Sequence, residues 1–203
     1  MTGKPPSVQR SHRRWRWLAA LSLLLVVASG AGATAWVVSL GPVPLAEARE
    51  VSRVVVDRNG RLLRAYAMDD GRWRLPVDAG QDVDPRYIDL LLAYEDQRFR
   101  SHHGVDPQAF VRAALQWLAH GHIVSGGSTI TMQLARLLEP RQQRSIYAKL
   151  RQAVRAIQLE RLLSKDEILD LYLTLAPYGG NLEGIRAASL AYFGKEPKRL
   201  TRA

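Results

Sequence analysis

Glu95 opens the run EDQRFRSHHG and falls on the same face as the apolar residues before it, Ile88, Leu91 and Leu92, with Phe99 beyond. A carboxylate held against an apolar wall loses hydration and gains proton affinity, which makes it a candidate general base near neutral pH. A buried, hydrogen-bonded structural glutamate is the competing reading. Further on, VSGGSTITMQLARLLEP places Gly126 and Gly127 before Ser128 and Thr129. Paired glycines let the backbone approach a ligand, and free N–H groups with hydroxyls at a helix start suit an anion or a sugar. The plainer reading is that Ser128 or Thr129 caps the helix. Lys149 and Gln152 sit three apart on a later helix, a spacing that alone describes a solvated polar face. The charge around them raises the alternative. Between Arg136 and Arg161 the basic residues 136, 141, 144, 149, 151, 155 and 161 meet only Glu139 and Glu160, so one basic strip is focused on one region.

The elements that must hold these groups are mostly helices. DPRYIDLLLAYEDQRF has Asp84 as N-cap and Pro85 at the first helical position. Asp106-Pro107 starts another helix, with Phe110, Ala113, Ala114, Trp117 and Leu118 expected on its buried side. Ser145 opens a longer one whose Ile146, Leu150, Val154 and Ile157 are expected to form the buried stripe. Ser164-Lys165-Asp166-Glu167 reads as a capping box for a helix through Leu175, and a last helix runs from about Glu183 to Phe193 with Gly194 as its stop.

Upstream, VSRVVVDRNGRLLRAYA reads as two strands around Asn59-Gly60, with a third strand after Asp69-Asp70-Gly71. Asp57 and Asp69 flank turns, and turn chemistry accounts for both. This segment is assigned a structural or tethering role.

From Trp17 to Leu40 there is no charged residue. At about 1.5 Å per residue that run reaches roughly 36 Å, enough for a hydrocarbon core of about 30 Å. Arg13, Arg14 and Arg16 precede it, so the positive-inside tendency keeps the N-terminus in the cytoplasm and exports the rest. Trp15, Trp17 and Trp36 suit the two interfaces. Ala31-Gly32-Ala33 would also serve as a signal-peptide cleavage site, and either reading exports the domain. The expected organisation is a basic cytoplasmic tail (1–16), a transmembrane anchor (17–40), a linker with a β-hairpin (41–83) and a helical domain (84–203).

The chain has 203 residues, 47% of them hydrophobic, which supports one good-sized domain with attachments. With no cysteine, disulfides, thiolate metal sites and a cysteine nucleophile are excluded. The formal charge of +10 divides between the N-terminal tail and the strip around Lys149.

The order of the motifs resembles the family 51 peptidoglycan glycosyltransferases, the module carried by class A penicillin-binding proteins. The first motif, E-D-x-x-F-x-x-H-x-G, is matched at Glu95, Asp96, Phe99, His102 and Gly104. The second, G-G-S-T-[IL]-T-Q-Q, is matched at Gly126, Gly127, Ser128, Thr129 and on to Thr131 and Gln133, with Met132 at the first glutamine. The third, R-K-x-x-E, keeps only Lys149, because Ala148 replaces the arginine and Gln152 the glutamate. The fifth motif is expected beyond Ala203. The resemblance covers residues 84–203 and implies a mainly α, lysozyme-like domain that polymerises lipid II into β-1,4-linked glycan with inversion. It makes Glu95 the base and Lys149, Arg136 and Arg151 the cations for the lipid pyrophosphate. Asp96, Phe99, His102, Gly126, Gly127, Ser128, Thr129 and Gln133 become substrate-binding or cleft-shaping positions. Gln152, at the second acid's place, can hydrogen-bond but carries no charge. A divalent cation such as Mg assists some relatives at the pyrophosphate, although the sequence holds no metal-ligand cluster. The implied partners are lipid II, the growing glycan strand, the membrane and other wall-synthesis proteins, and not nucleic acid. A glycan-cleaving enzyme of lysozyme or lytic transglycosylase type and a non-catalytic scaffold are the rival readings.

Overall fold

The structure, a computed structural model, describes residues 9–122, 126–140 and 145–201. The chain divides into two compact units, Met1–Pro42 and Val43–Ala203. The first contains the helix α1 (Gln9–Ser39), whose stretch Trp15–Ser39 is long and apolar enough to cross a membrane.

The second unit is mainly helical, as the periodicity implies. In order it contains α2 (Leu45–Ala48), β1 (Val54–Val56), β2 (Leu62–Ala65), β3 (Trp73–Arg74), α3 (Ala79–Asp82) and α4 (Pro85–Glu95). Then come α5 (Pro107–His120), α6 (Ile130–Leu138), α7 (Ile146–Leu162), α8 (Lys165–Leu175), β4 (Leu182–Glu183), α9 (Ile185–Phe193) and a 3-10 turn at Pro197–Arg199. The centre is α6, which buries Ile130, Leu134 and Ala135 against Leu159 of α7 and Ile168, Leu169 and Leu173 of α8. Phe99, with no exposed surface, completes this core. Ala48, Val77, Ala79 and Val83 belong to the same core, so the segment before Asp84 is packed into the domain.

The caps are those the residue types dictate. The Asp84 carboxylate accepts the Arg86 N–H with Pro85 following, Ser145 accepts from Ala148, and Ser164 and Glu167 form a reciprocal capping box. Gly194 stops α9 in the left-handed conformation. That helix begins at Ile185, not Glu183, because Leu182–Glu183 is a strand and Gly184 intervenes at φ +83°. A Cβ on Gly184 would lie 2.6 Å from the Thr174 carbonyl oxygen, so only glycine passes there.

The hairpin forms around Asn59-Gly60, with Val54 opposite Ala65 and Val55 opposite Arg64. Asp57 is its turn acid, accepting the N–H groups of Asn59 and Arg61 at 2.8 Å each. Asp69 lies in the turn closed by the Gly71 N–H on Met68 O at 2.8 Å. The expected third strand exists, but β3 pairs in parallel with β4. Arg74 fixes this pairing: its buried guanidinium donates to Glu183 at 2.7 Å and to the Glu47 and Glu50 carbonyls at 3.1 and 3.0 Å.

Two expected stripes are covered only in part, with Val154 and Ala113 half-buried. In α7, Ile146 is 89% exposed and Leu150 and Ile157 are also exposed, whereas Ala148, Arg155, Ala156 and Leu159 are buried. The loop at Gly104 lies directly on the α7 backbone at Ala156, where only a small side chain fits. In α5, Ala109 is buried while Phe110 and Leu118 are exposed and Ala113 is half-buried. The side chains of Ala114 and Trp117 lie outside the described residues, as do Arg141 and Arg144.

Candidate active site

Glu95 is the last residue of α4, and the turn after it folds back into the core through Phe99. His102 then returns its ring to Asp96, with Nε2 at 2.9 and 3.0 Å from the two carboxylate oxygens. Its Nδ1 accepts the Gly104 N–H at 3.2 Å, which places the ring proton on Nε2, toward the carboxylate. Asp96 also accepts the Ile130 N–H at 2.9 Å, at the start of α6. Thr129 locks the same junction, donating to Gly104 O at 2.6 Å and accepting from Met132 N at 3.1 Å as the α6 N-cap. The two motifs thus interlock: the first supplies the anion at the α6 N-terminus and the second supplies the cap.

These bonds separate cleft residues from frame residues. Phe99 is core, and Asp96, His102 and Thr129 are buried with their polar atoms engaged by protein. Their geometry is that of a frame. The cap is Thr129 and not Ser128, whose hydroxyl instead receives the Lys149 ammonium.

A cleft of about 590 Å³ opens along this junction, lined among others by Glu95, Arg98, Arg112, Gly126, Ser128 and Gln133. Gly126 faces open space, and a Cβ on Gly127 would crowd Phe110 at 3.3 Å. Three carboxylates border the cleft: Glu95, Asp96 and Asp106. Asp96 is held by His102, and Asp106 by Arg98 at 2.9 Å and the Ala109 N–H at 2.9 Å. The Arg98 guanidinium brings the Asp106 carboxyl down to about 2. Glu95 accepts from the neutral amide of Gln133 at 2.7 Å, and among the described residues no cation pairs with it. Of these three carboxylates it is the one that neither an arginine nor a histidine holds.

The cations divide in the same way. Lys149 of α7 is half-buried, and burial followed by the Arg136 charge moves its ammonium below the usual lysine range. Arg136 is exposed on α6. Arg151, expected beside them, is turned to Glu139 at 2.7 Å, and buried Arg155 reaches the same carboxylate at 2.6 Å. Burial works to raise Glu139, and the Arg151 and Arg155 hydrogen bonds outweigh it and lower its pKa. The basic strip is therefore part structural tie, part open charge. Gln152 is half-buried on α7, one turn beyond Lys149.

Sequence reasoning missed Arg112 and Tyr172. Arg112 lines the cleft from α5, and its signal was a cation inside an otherwise apolar helix. Tyr172 donates its hydroxyl to Gln133 Oε1 at 3.2 Å, and only its place in a buried helix marked it. Among the described residues no group of three or more His, Cys, Asp or Glu side chains is placed to hold a metal ion.

The cleft of this helical domain is thus lined by Glu95, whose partner is uncharged, and by Ser128, whose hydroxyl receives half-buried Lys149. The family model described as Transglycosylase matches residues 59–203, and the chain belongs to that family. It is 49% identical to penicillin-binding protein 1C of Escherichia coli over 92% of this chain and 23% of that protein. It is 40% identical to penicillin-binding protein 1A of Pseudomonas aeruginosa over 73% of the chain and 18% of that protein. It is also 37% identical to penicillin-binding protein 1F of Bacillus subtilis, over 74% and 20% respectively. The chain thus spans about a quarter or less of the length of these relatives.

Proposed function

We propose that this domain polymerises lipid II, the lipid-linked disaccharide-pentapeptide, at the outer face of the cytoplasmic membrane. The observation that carries the reading is the cleft's division of charge: Asp96 and Asp106 are bound to His102 and Arg98, while Glu95 keeps an uncharged partner. Glu95 takes the proton from the acceptor's GlcNAc 4-hydroxyl as that oxygen attacks the donor's MurNAc anomeric carbon. The new C–O bond forms on the face opposite the leaving group, so the anomeric centre inverts. The old bond's electron pair leaves on the lipid pyrophosphate, where Lys149 and Arg136 meet the developing charge. Ser128 holds Lys149 in place for this.

The membrane setting supports the same reading. Arg13, Arg14 and Arg16 before the apolar stretch keep the N-terminus in the cytoplasm and put the domain on the other side. Phe110, Val111, Leu115 and Leu118 form an exposed apolar face on α5, the helix that also sends Arg112 to the cleft. Such a face suits contact with the bilayer that holds a lipid-linked substrate.

The experiment is incubation of the detergent-extracted protein with labelled lipid II and, separately, with preformed glycan. Polymer growth on the first is expected, and cleavage of the second without growth rejects the reading in favour of a glycan-cleaving enzyme. Glu95→Gln should lower kcat by about 10²- to 10⁴-fold with thermal unfolding unchanged. Full polymerase activity in that variant would remove Glu95 as the base.

A further inference from the structure

We propose that Tyr172 is a positioning residue for Glu95, acting through the side-chain amide of Gln133. The chain of contacts is direct: Tyr172 Oη donates to Gln133 Oε1 at 3.2 Å, and Gln133 Nε2 donates to Glu95 Oε2 at 2.7 Å. It crosses three elements, from α8 through α6 to the end of α4.

The direction of each bond follows from what each group can do. An ionised carboxylate only accepts, so Gln133 must turn its NH₂ toward Glu95, and its carbonyl oxygen then faces the other way. There it needs a donor. Tyr172, buried at 9% exposure on α8, supplies it. Burial, with the Glu95 charge second, pushes the phenol up to about 12, and it remains a neutral O–H donor through the neutral range. Without that hydroxyl the two orientations of the amide are no longer distinguished. The flipped one sets a carbonyl oxygen against the carboxylate, which favours the protonated acid over the base.

The other groups around Glu95 have their own partners or make no hydrogen bond to it among the described residues. Tyr87 of α4 is 2.7 Å from the Tyr178 hydroxyl, and burial raises the pKa of both phenols. Asp96, next in the chain, belongs to His102, and Asp106 across the cleft belongs to Arg98. Arg112 lines the cleft from α5 and Arg136 is exposed on α6. Gln133 is the protein donor on Glu95 among the described residues, so what orients Gln133 tunes Glu95.

The proposal rests on Glu95 being the base, and its test is separable from that reading. Tyr172→Phe removes the hydroxyl and keeps the ring in place. In protein labelled with carboxyl-¹³C glutamate, the Glu95 resonance is assigned by its loss in Glu95→Gln, and its titration is followed by NMR. Tyr172→Phe should raise the proton affinity of Glu95 about threefold or more, and in a Gln133→Leu background it should add nothing. In polymerisation assays the acid limb should move upward by the same factor, with kcat lowered below it and KM unchanged. A titration that does not move overturns the proposal, even if the variant is less stable, because that is the mark of a packing role. If the wild-type protein makes no polymer, the proposed function fails, and the titration still decides the role of Tyr172.

Discussion

His102 and Asp96 form a closed pair, each side chain 3% exposed, with Nε2 within 3.0 Å of both carboxylate oxygens. Asp96 borders the cleft, and the pair anchors the first turn of α6 through the Ile130 N–H. Asp96→Ala therefore acts on folding before it acts on substrate. It leaves two buried donors, Ile130 N–H and His102 Nε2–H, without an acceptor, at about 1–3 kcal/mol each. The thermal unfolding midpoint should fall markedly, while KM of the fraction that stays folded remains close to wild type. An Asp96→Ala protein of wild-type stability and raised KM would return Asp96 to the substrate contacts.

Gly104 closes the same motif for a different reason. Its φ is +90°, and a Cβ there would lie 2.7 Å from the Ala156 carbonyl carbon and oxygen, both backbone atoms that cannot swing aside. Gly104→Ala should cost at least about 2 kcal/mol and loosen the Thr129 bond to Gly104 O. Loss of thermal stability, with amide exchange at the α6 N-terminus speeding up, is the expected result. An unchanged melting curve would mean that the loop has room the structure does not show.

The contrast between these residues explains what was legible in the sequence. Caps and turns are local, so Asp84, Ser145, Ser164 with Glu167, and Asp57 could be read from neighbouring residues alone. Glu95 at a cleft was legible as an acid on an apolar face. The α7 stripe was not, because periodicity reports that a helix has two faces and leaves open which one is covered. Ile146 and Leu150 look like core by type, yet they are exposed, and the face that carries Ala156 and Leu159 is the covered one. The pairing of β3 with β4 and the capture of Arg151 by Glu139 join segments far apart or on different helices, and no local pattern carries them.

As the proposed cation for the leaving group, Lys149 would give the site an alkaline limit. Burial, with Arg136 second, lowers its pKa from the ordinary 10.5, so the ammonium is present below that lowered value and lost as pH rises through it. If the ammonium meets the pyrophosphate, activity declines at lower pH than an ordinary lysine would allow. Lys149→Arg substitutes a cation that keeps its proton above pH 12, so the alkaline limb should move upward even where the maximal rate falls. A limb that stays in place in the arginine variant would assign it to another group.

Gln152 lies one turn beyond Lys149 on α7, the spacing at which an acid and an amine on a helix interact. A glutamate there is what the resembling family commonly carries. Gln152→Glu should therefore leave polymerisation within about tenfold of wild type, and its negative charge should raise the Lys149 pKa and extend the alkaline limb. With Glu95 as the proposed base, the acid limb should stay in place, because Gln133 and not Gln152 donates to that carboxylate. Complete loss of turnover in a folded Gln152→Glu protein would mean that this cleft is shaped around the neutral side chain and holds its donor differently from relatives that carry the second acid.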